Sequence, residues 1–219
     1  ILTAAMLTTL AAPAFAGTWY IENGDITVKA SGTEGKNTVS QGNKKDVEDT
    51  NTIITNQNKD KASSNTVTID AGNDKVEVTL KDVNIDTSSR NEAAMSVTGS
   101  GNTTIKLDGD NHLTGGNGIY SNSSGSLTIS GGETDSLTAQ GGDSRNGIYS
   151  VSGDVTISGG TVTATGGNST GSYGSGGTVT ATGGGSTGSN GLGGRGICSD
   201  SGGVTISGGT VTATGGNGS

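Results

Sequence analysis

Short runs in which every second residue is apolar recur along most of this chain. Val67/Ile69, Val76/Val78/Leu80, Val83/Ile85, Ile105/Leu107, Leu127/Ile129 and Val155/Ile157 are among them. Alternation at period two puts one set of side chains on one face, so each run predicts a half-buried β-strand. Paired glycines close many of the runs, and glycine supplies the positive φ angles that tight corners need. The pattern also repeats itself. Val155 to Asn168 returns letter for letter as Val204 to Asn217, and its second half returns as Thr178 to Gly184.

A three-part unit underlies the repeats. It reads Gly118-Ile-Tyr-Ser121, then Leu127-Thr-Ile-Ser130, then Leu137-Thr-Ala-Gln140. It restarts at Gly147-Ile-Tyr-Ser150 with Val155/Ile157 and Val162/Ala164, and again at Gly196-Ile-Cys-Ser199 with Val204/Ile206 and Val211/Ala213. The first interval is 29 residues and the second 49, so the second is expected to hold one full coil and one shortened coil around 176–184. Three short strands per coil predict an all-β fold, a parallel β-helix, right-handed because parallel crossovers almost always are. Coils are expected about 4.8 Å apart, the usual strand spacing. No window of ten or more residues carries helical periodicity.

Ahead of the repeats the chain divides into two further parts. Residues 1–16 are apolar and end in Ala14-Phe-Ala16, the small-x-small pattern of a secretory signal cleavage site, which predicts an exported protein. The run is too short for a transmembrane span. Residues 17–64 are polar, with weak strand signals at 26–29, 38–39 and 52–54 and charge clusters at 44–49 and 58–61 that read as loops or disorder. Trp19-Tyr-Ile21 is their one dense apolar group, and Trp19 reads as a cap on the first coil. The helix proper is expected over 65–219, with 166–195 flexible because glycine leaves little there to bury. No capping segment follows the last repeat, so its coil is expected to present an open edge.

Composition sharpens this picture. Leu, Ile, Val and Phe together make up about 17% of 219 residues, and the net charge is −8, which resembles the composition of disordered chains. Position decides otherwise: a solenoid needs little apolar surface per residue because neighbouring coils bury one another. The acidic balance, with Arg145 and Arg195 the only Lys or Arg residues beyond Lys106, argues against nucleic acid. A single cysteine, Cys198, excludes an internal disulfide framework.

These motifs resemble those of a family of secreted bacterial β-helix proteins described as carbohydrate-binding domain-containing. The resemblance rests on Trp19-Tyr-Ile, Ser64-Asn-Thr-Val-Thr-Ile-Asp70, Val83-Asn-Ile-Asp86, Ile105-Lys-Leu-Asp-Gly-Asp-Asn111, Gly125-Ser-Leu-Thr-Ile and the Gly-Gly-Thr-Val-Thr-Ala-Thr-Gly-Gly repeats. It covers nearly everything after residue 16, and its motifs speak to the scaffold more than to an activity. It implies a non-catalytic secreted or cell-surface protein that binds polysaccharide such as acidic plant glycans, in some cases with calcium.

Four sets of residues carry candidate chemistry. Tyr120 and Tyr149 are expected to point outward on consecutive coils, where aromatic faces suit sugar rings; an unliganded cross-strand pair that only stabilises the sheet is the other reading. Cys198 takes the equivalent place in the last coil and breaks that ladder. Thr161, Thr163 and Thr165, like Thr178/Thr180/Thr182 and Thr210/Thr212/Thr214, form outward ranks that suit a flat glycan-contacting face, an ice-binding face, or simply a strand-favouring surface. Asp82, Asp86, Asp108 and Asp110 are placed at one corner on successive coils, where stacked carboxylates suit Ca²⁺ and where Asp also simply favours turns. His112 precedes an inward leucine and points to solvent. No paired-carboxylate, nucleophile-elbow or HExxH motif supports a lyase-like or other catalytic role. The contrasting non-enzymatic reading is a stalk or adhesin segment whose repeats provide length.

Overall fold

The computed structural model describes residues 16–33, 35–168 and 194–216. It is a parallel β-solenoid with three sheets along its length. One seven-stranded sheet runs Thr18–Tyr20, Thr52–Thr55, Val76–Lys81, Thr103–Asp108, Leu127–Ser130, Val155–Ile157, Val204–Ile206. A five-stranded sheet runs Asn84–Asp86, Asp110–Gly115, Ser136–Gly141, Thr161–Thr165, Thr210–Thr214. An eight-stranded sheet includes Val67–Asp70, Met95–Gly99, Ile119–Ser123, Ile148–Ser150 and Ile197–Ser199. Each coil visits the three sheets in that order, as the tripartite unit predicts. The segments 1–15 and 169–193 lie outside the described residues, and with them the signal-like stretch, most of the segment expected to be flexible, and the Thr178/Thr180/Thr182 rank.

Registry turns the alternation into a core. Val78, Ile105, Ile129 and Ile157 align on one sheet, and Met95, Ile119, Ile148 and Ile197 on another, every one buried. Each such side chain contributes about 1.5–3 kcal/mol, and because every rung covers the next, few are needed per coil. On the five-stranded sheet the column shrinks from Ile85 and Leu113 to Ala139, Ala164 and Ala213. Asn111, itself fully buried, opens the neighbouring column Asn111–Leu137–Val162–Val211. Its side-chain oxygen accepts from the Val83 amide at 3.0 Å, and its amide nitrogen donates to the Ser136 carbonyl at 3.2 Å. A polar residue sits inside because corner backbone groups surround it and need partners.

Two expectations are corrected. The 49-residue interval does not hold an extra rung. Ile148 pairs directly with Ile197, Val155 with Val204 and Thr161 with Thr210, so no rung separates these strands; the shortened copy itself lies outside the described residues. Similarity of letters is not a rung; a rung exists only where backbone registry leaves a place for it. The charge cluster at 44–49 is not a loop. Lys44–Asp49 is a strand, antiparallel to Asn37–Gln41, which is itself antiparallel to Ile26–Ala30. The two-residue connection Gly42-Asn43, with Gly42 at φ +56°, is a hairpin signal that the surrounding charges obscured. Residues 44–48 are exposed and the strand carries a register shift, so lysines and an irregularity blunt the sheet's edge.

Trp19 lies in the outermost strand of the seven-stranded sheet and is buried. Its indole nitrogen donates to Asp49 Oδ2 at 2.7 Å, and Lys44 Nζ sits 5.3 Å from the ring centroid. The hairpin therefore folds back onto the first rungs: Gln41 donates to the carbonyls of Tyr20 and Gly24, and Asn37 to that of Glu77.

Candidate functional site

The outward positions of the eight-stranded sheet form a row in register: Thr68, Ser96, Tyr120, Tyr149, Cys198. Alternation dictates this row, since Ile119 and Ser121, and likewise Ile148 and Ser150, point inward. The Tyr120 and Tyr149 rings lie with centroids 5.7 Å apart and planes inclined at 39°. They floor part of a groove of about 600 Å³ along four adjacent rungs. Its walls come from corner loops: Asp25 on one side, Arg90 to Ala93 above Ser96, and Gly116, Asn117 and Arg145 beside the tyrosines.

The corners are held by hydrogen bonds between rungs. Thr87 Oγ1 donates to the Glu92 carbonyl at 2.7 Å, which folds the Arg90–Glu92 loop against the sheet. Gly115 lets this happen: a Cβ there would stand 2.4 Å from Thr87 Oγ1 and 2.6 Å from the Glu92 carbonyl oxygen. Asn117 Oδ1 accepts the Asn146 amide at 2.9 Å, and Asn146 Oδ1 accepts the Arg195 amide at 2.6 Å. Stacked polar corners thus fix the wall.

Charge is distributed unevenly around the groove. Arg90 pairs with Glu92 at 2.7 Å and with Asp25 at 3.3 Å. Burial alone would raise the Asp25 pKa, but the Thr66 amide and Arg90 outweigh it and hold the carboxyl below its usual range. Arg145 is exposed and makes no side-chain hydrogen bond or ion pair among the described residues, and the Tyr120 hydroxyl likewise has no partner. Tyr149 differs. Its hydroxyl donates to Asp200, and that bond, followed by burial and the Asp200 charge, pushes its pKa up to about 12. Cys198 is buried beside Arg195 and Asp200; burial raises its thiol, with Arg195 pulling the other way. The tyrosine ladder therefore ends where expected, at Cys198.

The other expected residues lie elsewhere. Thr161, Thr163 and Thr165 pair in register with Thr210, Thr212 and Thr214 on the five-stranded sheet, away from the tyrosines. His112 is exposed on that same sheet, between Asn84 and Thr138. Asp82, Asp108 and Asp110 meet at one corner, but Asp86 stands at the far end of its strand, in register with Thr114. Asp135 joins the corner instead. One oxygen of each is engaged by protein: Asp82 accepts the Asp110 amide at 3.2 Å, Asp108 pairs with Lys81 at 2.6 Å, and Asp110 accepts from Ser136 Oγ at 2.8 Å. Asp135 accepts from the Gly109 and Gly132 amides, which lower its pKa. Gly109, at φ +72°, has no room for a Cβ, which would stand 2.4 Å from Asp82 Oδ1. Among the described residues no group of three or more His, Cys, Asp or Glu has the arrangement of a metal site. The hydrogen bonds these aspartates accept belong to the turn they build.

Sequence reasoning placed the two tyrosines on the outer face and missed their neighbours. Arg90, Asp25 and Arg145 come from corners separated by 55 to 120 residues. A usable signal was present: Asn117, Asn146 and Arg195 each precede the glycine that starts a Gly-Ile-Tyr-Ser or Gly-Ile-Cys-Ser run, so aligning the repeats on that glycine stacks the corners. Among the described residues no helix is long and apolar enough to cross a membrane. Searches of protein-family models, curated proteins and solved structures found no match to this chain.

Proposed function

We propose that this protein is a secreted or cell-surface, non-catalytic module that binds extracellular polysaccharide in the groove over Tyr120 and Tyr149. The observation that carries the reading is the tilted tyrosine pair on the floor of a ligand-sized groove. Sugar rings present apolar faces and a rim of hydroxyls, and the groove offers aromatic faces beside the Tyr120 hydroxyl and the Asn91 and Asn117 side chains. Tyr149 is held by Asp200 before any ligand arrives, which lowers the ordering cost of binding. The signal-like residues 1–16 support export.

Arg145 favours an acidic glycan. The net charge of −8 opposes a polyanion at a distance, but fields between exposed charges are screened beyond about 8 Å at physiological salt. At contact the exposed Arg145 guanidinium decides, because it matches a carboxylate in a two-pronged hydrogen bond. Nothing in the groove recommends catalysis: Asp25 and Glu92 both pair with Arg90, and the sole histidine lies on another sheet.

Binding of short oligogalacturonides, measured by calorimetry, tests the reading. Tyr120→Ala and Tyr149→Ala are expected to weaken binding by about tenfold each, and Tyr149→Phe, which keeps the ring and loses the Asp200 bond, by less. A chelator should leave affinity unchanged. A wild-type protein that retains no glycan on an array of neutral and acidic oligosaccharides would return the repeats to the stalk reading.

A further inference from the structure

A second groove lies on a different face. It measures about 480 Å³ and forms where the N-terminal hairpin overhangs the seven-stranded sheet. Lys36 and Asn51 supply the overhang, and its floor is two columns that registry stacks along the axis. One is Glu77–Thr104–Thr128, continued by Thr156 and Thr205. The other is the residue before each strand: Lys75, Asn102, Ser126.

The polar groups here are largely unengaged. Among the described residues the hydroxyls of Thr104 and Thr128, the Asn51 side chain and the Lys75 ammonium form no hydrogen bond or ion pair, and Asn102 uses only its oxygen, toward the Ser126 amide. The one carboxylate on the floor, Glu77, is neutralised by Lys106 at 2.6 Å. Lys36 reaches Glu48 only at 3.8 Å. A groove with free hydroxyls and amides and two lysines at one end suits an anionic polyol, and it lacks the aromatic floor of the first groove.

Resting on the polysaccharide-binding reading above, we propose that this groove is a second glycan site, which binds a separate acidic strand through hydrogen bonds and Lys75. The two grooves occupy two faces of the solenoid, so one molecule joins two strands, and the linkage raises avidity on a polymer without any new contact.

Calorimetry with a short oligogalacturonide decides the matter. Wild type is expected to bind two per chain. Tyr120→Ala/Tyr149→Ala should bind one, and adding Thr128→Val or Lys75→Gln to that variant should weaken the remaining site at least fivefold, with circular dichroism unchanged. On long polygalacturonate, wild type should raise light scattering by bridging, and either single-groove variant should not. One site per chain, lost with the tyrosines and indifferent to Lys75 and Thr128, would overturn the second site and leave the first reading intact. No binding by wild type would overturn both.

Discussion

Tyr149 shows how one side chain is set by its neighbours. Asp200 comes from the following rung, 51 positions along the chain, and accepts the phenolic proton. Ionising the phenol would break that bond and place two negative charges together, so the pKa rises from 10.0 to about 12. Because the folded value lies above the ordinary one, the stabilisation is complete below about pH 10 and is lost as the pH climbs through about 12. Asp200→Asn removes the charge, and we expect Tyr149 to titrate nearer the ordinary tyrosine range. Tyrosinate absorbance of wild type and variant, with Tyr149→Phe to assign the transition, checks this. Asp135 has the opposite sign. Its depressed carboxyl, held by the Gly109 and Gly132 amides, stabilises the fold above the ordinary Asp range and ceases to do so as the pH falls through its lowered value.

At the scale of one element, the corner between the seven- and five-stranded sheets depends on Asn111. Its neighbours in the same column, Leu137, Val162 and Val211, are apolar, so burial alone does not require an asparagine. The backbone does. Truncation strands the Val83 amide away from water, which costs about 1–3 kcal/mol, and also removes a donor from the Ser136 carbonyl and leaves a small cavity. Asn111→Ala is therefore expected to destabilise the fold by about 2–4 kcal/mol, measured by urea denaturation, and a loss below about 1 kcal/mol would refute this account of the corner. The aspartates around it serve the same turn.

Across the whole molecule, stability follows the axis. In one column of the five-stranded sheet Ile85 and Leu113 are buried early, and the smaller Ala139 and Ala164 follow, with Ala213 only partly buried. Each missing methylene loses about 0.8 kcal/mol of burial, and in a solenoid such losses act locally because a rung touches only its neighbours. Amide exchange is expected to be at least tenfold faster in Val155–Ile157 and Thr161–Thr165 than in Thr103–Asp108 and Asp110–Gly115. Uniform protection along the axis would show that the coils open as one unit.

The alternation of Val, Ile and Leu with polar residues, broken by glycine corners, already determined a three-strand coil with Tyr120 and Tyr149 facing out. Side-chain direction in a strand is local, so the letters suffice for it. The 49-residue interval was misread because a local motif does not say which strand its backbone pairs with. The Lys44–Asp49 strand hid for a related reason: its charges face water and its partner is another edge. Asp86 left the aspartate corner, and Arg90, Arg145 and Asp25 entered the groove, only through stacking that joins residues far apart in sequence. Hydrogen bonds between rungs settle which corners meet, and those are properties of the folded chain.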